Sequence, residues 1–179
     1  RQSKGAEFIS ALELGHVGFS PQNELQRELT AILEKKHIRV INENFVSGPG
    51  IENIFEALLE LNGKETYSRS SEDIFLNINH CEFSNQSVDL FFEALGQVAG
   101  DFALSAGTFD GILLTGDIIK NNFDSSMSSQ FISGFNSKLD YSELMKNIPI
   151  AVCIKPEMGL LGIFELFKKS LSVNYTQPE

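Results

Sequence analysis

The tetrapeptide Ser47-Gly48-Pro49-Gly50 restricts the chain more than any other stretch of the sequence. Pro49 has a fixed φ and no N–H, which suits the first helical position, and Ser47 or Gly48 suits the cap before it. Ile51, Ile54, Phe55, Leu58 and Leu59 follow at three- and four-residue steps, the spacing of one buried helix face. Upstream, a short run from Ile41 ends in the acidic Glu43. Glu43 therefore stands just before a rigid corner, and a corner before a helix is a good place to hold a carboxylate in a cleft.

Composition narrows the function classes. With 179 residues, 42% of them hydrophobic, the chain is long enough for one domain with a core. Its net charge of −10 argues against nucleic acid and against an anionic membrane surface, since both attract basic patches. Such a chain can still bind a nucleotide, because phosphates are held locally by backbone N–H groups, a few cations and a metal. Cys81 and Cys153 follow no ligand spacing, so a reduced, cytoplasmic chain is expected. No apolar run approaches the length of a membrane span.

Strand and helix patterns alternate along the chain. Residues 8–12 read as a short strand leading into Glu13. A turn at residues 21–23 precedes a helix over 24–36, with Leu25, Leu29, Ile32 and Leu33 as its stripe and Lys35, Lys36 and His37 at its C-terminus. After the corner and its helix, Ser70 with Asp73 fits a capping box for a helix holding Ile74, Phe75 and Ile78. A break is expected over 82–86, followed by a long helix over 86–106 whose wide stripe carries Gly96 and Gly100. Ile112-Leu113-Leu114 reads as a strand buried in a parallel sheet, and 148–154 as a second strand. Helices are expected near 128–135, 141–146 and 160–169. The pattern is α/β with a mostly parallel sheet, although two clear strands are too few to complete one.

Thirty residues before Glu43 lies Glu13, in Glu13-Leu14-Gly15-His16-Val17-Gly18-Phe19-Ser20-Pro21. Together with Glu43 and Ser47-Gly-Pro-Gly50, this segment resembles the C-terminal half of the bacterial glucokinase family. The likeness continues through Leu104-Ser-Ala-Gly-Thr-Phe109, Gly111-Ile-Leu-Leu-Thr-Gly116 and Gly159-Leu-Leu-Gly162. It implies the hexokinase/actin-like ATPase fold, which is ribonuclease-H-like, with residues 1–179 forming an incomplete, helix-rich large lobe. On that reading the small lobe, the first strands of the large lobe and the catalytic base, an Asp, lie upstream of Arg1. None of the 179 residues is then a catalytic residue, and these residues alone are expected to be inactive.

By residue type, Glu13 and His16 suit sugar hydroxyls, since a carboxylate accepts from two and an imidazole can donate or accept one. A solvated acid and a structural His fit the same residues, and Glu43 could be a surface acid before a turn. The resemblance makes Glu13, His16 and Glu43 glucose-binding residues, with magnesium arriving on ATP and no protein-held metal. It places the adenosine motif at Gly107, Thr108, Gly111 and Gly116, which could otherwise be ordinary glycines and a threonine at helix and strand ends. Two departures stand out: Leu14 replaces a family glycine, and Asp110 and Asp117 stand where the family favours Gly-Gly pairs. A carboxylate near a triphosphate is repulsive. The implied activity is phosphorylation of glucose by ATP, and the rival is a sugar-binding or regulatory protein without catalysis. A homodimer through the apolar face of the 86–106 helix is a further reading.

Overall fold

The widest apolar stripe of the sequence forms the longest helix, and the other elements gather on it. The computed structural model describes residues 12–155 and 157–173, so the expected strand at 8–12 falls almost wholly outside the described residues. The described chain runs α1 (Glu24–Leu33), α2 (Gly48–Leu61), α3 (Ser71–Leu76), α4 (Glu82–Ala106), β1 (Ile112–Leu114), α5 (Asp117–Asn122), α6 (Ser125–Asn136), α7 (Ser142–Met145), β2 (Ile150–Val152) and α8 (Met158–Val173).

On α4, Val88, Phe91, Phe92, Ala94, Val98, Ala99 and Ala103 are buried. Helix α6 lies so close that a Cβ added at Gly96 would overlap the Phe131 carbonyl oxygen, and one added at Gly134 would overlap that of Glu93. Missing side chains thus let the two backbones touch, and Phe131 and Phe135 fill the space beside them without exposure. Edge-to-face aromatic pairs continue the core from Phe91 to Phe92 at 5.2 Å, to Phe123 at 5.7 Å and to Phe131 at 5.8 Å. Helix α2 packs on α4 through Ile51, Ile54, Phe55, Leu58 and Leu59, all buried as their spacing predicts. Helix α1 then packs on α2 through Leu29, Ile32 and Leu33. Much of the apolar face of α4 is therefore covered within the chain, which leaves little of it for contact with a second copy.

The parallel pair β1–β2 aligns Ile112 with Ile150, Leu113 with Ala151 and Leu114 with Val152. The sequence reads β1 as buried on both faces, but only Leu114 is buried, while Leu113 is 56% exposed. Side chains alternate across a strand, and only one face of β1 meets the core.

Three departures from expectation stand out. Helix α1 stops at Leu33, and the lysines beyond it bridge to α2: Lys35 Nζ lies 2.7 Å from Glu60 and Lys36 Nζ 2.8 Å from Glu56. The break expected over 82–86 is absent, since α4 begins at Glu82. Ser84 and Ser87 are tolerated there because the Ser87 hydroxyl donates to the Phe83 carbonyl at 2.6 Å and Arg69 donates to Ser84 Oγ at 2.9 Å. Helix α5 has no counterpart in the sequence reading. It is six residues long and is held by one buried side chain, Ile119, so its apolar period is too short to read.

Glu93 faces the N-terminus of α1, where Asn23 Nδ2 donates to its carboxylate at 3.2 Å. Burial pushes the Glu93 carboxyl above its ordinary value, against the opposing pull of the Gln26 and Asn23 amides. An acid whose folded pKa is raised contributes most below its unfolded pKa, and that contribution is lost as pH rises through the folded value. Glu93→Gln should therefore raise the melting temperature at pH 7 to 8, with the gain shrinking toward pH 4; an equal gain at both ends would contradict this. Gly134→Ala should cost about 1–3 kcal/mol by forcing α6 off α4, measured by urea unfolding.

Candidate functional site

Two short turns make the sugar-candidate corner. Leu14–His16 forms a 3-10 turn in which the His16 N–H donates to the Glu13 carbonyl at 3.1 Å. Asn42–Asn44 forms a second, in which the Asn44 side chain accepts from the Ile41 N–H at 2.8 Å. Backbone bonds join the segments: Phe19 N–H donates to the Val40 carbonyl at 3.2 Å and Asn42 N–H to the Val17 carbonyl at 2.9 Å. Asn42, 5% exposed, adds a bond from Nδ2 to the Leu14 carbonyl at 2.9 Å. Beneath them the rings of Phe19 and Phe45 stack 3.8 Å apart.

The Ser-Gly-Pro-Gly corner closes the arrangement from the other side. The Ser47 hydroxyl accepts from the Gly50 N–H at 2.9 Å, capping α2, and donates to the Glu43 carbonyl at 2.7 Å. A Cβ at Gly50 would stand 2.9 Å from that same carbonyl and 2.7 Å from the carbonyl of Phe45, so a side chain here would push the Glu43 turn away.

The result brings two of the three sugar candidates together. His16 Nδ1 lies 3.8 Å from Glu43 Oε2, and the two side chains are 63% and 57% exposed. Gly15 packs against the Glu43 side chain, with room for ordinary contact at 3.4 Å. Glu13 is exposed at the start of the first turn. An imidazole and a carboxylate at this separation, both open to solvent, can share a ligand bearing adjacent hydroxyls. Sequence reasoning missed Asn42, Asn44 and the second bond of Ser47, although the Asn-Glu-Asn triplet was a local signal of side chain-to-backbone bonding.

The nucleotide candidates spread along one line of chain. Gly107 caps α4 in the left-handed conformation, φ 64°, and the Thr108 N–H donates to the Ala103 carbonyl at 2.9 Å, so both close that helix. Gly111 precedes β1 and Gly116 follows it. Gly116 has φ 123° with nothing within 4 Å of where a Cβ would stand, which leaves its backbone open to close approach. Several clefts lie near it, and three of them bear on the site. One of about 320 Å³ runs from Gly15 and Val46 to Leu113, Leu114 and Thr115. A second of about 220 Å³ holds Thr115, Gly116, Asp117 and Lys120. The third, about 460 Å³, lies between Phe75 of α3 and Asp117, Ile118, Asn121 and Asn122 of α5. Thr115 lines the first two, and Asp117 the last two. Among the described residues no helix is long and apolar enough to cross a membrane.

Asn42→Ala should cost about 1–3 kcal/mol by removing the side-chain bond that ties the second turn to the Leu14 carbonyl of the first. Urea unfolding, with an amide chemical-shift change at His16, checks this.

Comparison with known proteins follows the same line. The family model described as Glucokinase matches residues 2–170. The glucokinase of Photorhabdus laumondii subsp. laumondii is 30% identical over 163 residues, covering 90% of this chain and 51% of its own length. That of Xanthomonas oryzae pv. oryzae is 34% identical over 159 residues, covering 88% and 48%. The chain thus spans about half the length of the curated relatives it matches. A glucokinase structure from an Antarctic psychrotroph overlays with a TM-score of 0.80 at 26% identity, over 89% of this chain and 50% of that one. The Balamuthia mandrillaris glucokinase in complex with glucose overlays at 0.72 and 21% identity, a likeness of fold alone. The helix-rich framework with its small parallel sheet fits part of the large lobe of a hexokinase-like fold, and with a match running almost end to end, the chain belongs to the glucokinase family.

Proposed function

We propose that this chain supplies the sugar-binding corner and part of the nucleotide site of an enzyme that moves the γ-phosphoryl group of Mg-ATP to the 6-hydroxyl of glucose. The observation that carries the reading is the convergence of His16 and Glu43 at 3.8 Å, held by turns whose backbone bonds fix both. Glu43 accepts from adjacent sugar hydroxyls, His16 engages a third, and Glu13 closes the mouth of the corner. The base that deprotonates the 6-hydroxyl is assigned to residues outside the 179, as are the loops that grip the terminal phosphate.

The nucleoside is assigned to the cleft of about 460 Å³ beyond Gly116. Phe75 and Ile118 offer apolar walls for a base, and the amide of Asn121 offers a donor and an acceptor for its edge. Phosphoryl transfer depends mainly on position and charge neutralisation, so a corner that orients the sugar raises the rate without touching the phosphorus. The free thiols Cys81 and Cys153 suit the reducing cytoplasm.

Asp117 favours a second reading, a sugar-binding protein that does not use ATP. Its exposed carboxylate lines both the 460 Å³ and 220 Å³ clefts, where it would repel phosphate.

The test is a coupled assay of glucose-6-phosphate formation by the full polypeptide with Mg-ATP. Glu43→Gln should lower kcat/KM by about 10²-fold, the loss of charge-assisted bonds to two hydroxyls. Full activity in that variant would remove Glu43 from the site. Glucose binding without turnover, with ATP binding gained in Asp117→Gly, would favour the second reading.

A further inference from the structure

The cleft of about 220 Å³ lies at the carboxyl ends of both parallel strands. Thr115, Gly116 and Asp117 follow β1, Lys155 and Glu157 follow β2, and Lys120 reaches it from α5. In parallel α/β sheets this end of the strands is where ligands bind.

Most of the described lysines of this chain are ion-paired, and the two in this cleft, like Lys64, are not. It carries 14 Lys and Arg against 24 Asp and Glu, so a cation has carboxylates in excess. Lys35, Lys36, Lys138, Lys146 and Lys168 each hold a carboxylate oxygen within 2.9 Å. Lys120 and Lys155 line one cleft, both exposed, and neither has an ion pair among the described residues. Two lysines that line one cleft together with Thr115 and the open backbone of Gly116 match the chemistry of a phosphate chain. Asp117 and Glu157 in the same cleft disfavour a bare polyphosphate and fit its magnesium complex, whose charge is partly neutralised.

We propose that Lys120 and Lys155 clamp the phosphate chain of the phosphoryl donor at the end of β1 and β2. The placement follows from shared walls: Asp117 joins this cleft to the 460 Å³ one, and Thr115 joins it to the cleft that begins at Gly15. A donor with its base against α3 and α5 therefore has its phosphates between the lysines and pointing to the sugar corner. This orientation rests on the kinase reading; the clamp itself does not.

The experiment is calorimetric titration of the full polypeptide in magnesium buffer with ATP, adenosine and inorganic tripolyphosphate. The variants are Lys120→Ala, Lys155→Ala, both together, and Lys64→Ala as a remote control for net charge. Each clamp variant should weaken ATP and tripolyphosphate about tenfold and the double variant about a hundredfold, with adenosine unchanged, as expected for lost charge-assisted bonds. Both side chains are exposed, so folding is not at stake. Wild-type ATP and tripolyphosphate affinity in the double variant would overturn the proposal, as would an equal loss in Lys64→Ala. Tripolyphosphate binding that needs the two lysines in a protein without kinase activity would keep the clamp and reject the kinase reading. Kinase activity with an unchanged KM for ATP in the double variant would do the reverse.

Discussion

The close contact of α4 with α6 is the constraint on which the rest depends. Gly96 and Gly134 let the two backbones meet, and Phe131 and Phe135 pack beside the contact. Any larger residue at either glycine would separate the helices and leave the aromatic chain through Phe91, Phe92 and Phe123 without its last partner. Helix α4 also carries α2, and α2 begins at the corner that positions Glu43. A buried helix pair therefore sets the platform for an exposed site. Lys138 adds a polar lock to the pair: it is buried, bonds the Gln97 carbonyl at 3.0 Å and reaches Asp101 at 2.7 Å. Losing Asp101 would leave a buried ammonium short of a partner, which is costly.

The sugar-candidate corner shows how an exposed site can still be rigid. His16 and Glu43 are both more than half open to solvent, so their direct attraction is weak. Their positions come from groups beneath them: the Asn42 amide, the Ser47 hydroxyl, the stacked rings of Phe19 and Phe45, and the backbone contact at Gly50. Rigidity thus resides in the backbone-directed bonds and ring packing of the turns, while the side chains of His16 and Glu43 stay open to solvent. At the other end of the same run of clefts, the open backbone of Gly116 joins the sheet to α5 and places Asp117 at a shared wall.

Much of this was legible in the sequence. The stripe of α2, the cap by Ser47, the cap of α3 by Ser70 and the long helix α4 all follow from local spacing and side-chain chemistry. These are short-range effects, each complete within one or two helical turns. The resemblance carried the family and pointed to the candidate residues, including Glu13, which the structure leaves exposed just before the first turn. Less visible were α5, with its single buried isoleucine, and the start of α4 at Glu82, where Ser84 accepts from the Arg69 guanidinium and Ser87 donates to the Phe83 carbonyl. The destination of Lys35 and Lys36 on α2 was also hidden, since a helix C-terminus offered them an equally good local role.

The sequence by itself determined most of the elements, the corner before α2 and the membership of the family, because propensity, capping and motif spacing act between neighbours along the chain. The tertiary structure alone decided that His16 and Glu43 meet, that the wide face of α4 packs under α2 and α6, and that two lysines without an ion pair among the described residues share a cleft at the ends of β1 and β2. Those facts join residues distant in sequence. They depend on which backbones can approach, and at Gly96, Gly134 and Gly50 that approach rests on the absence of a side chain.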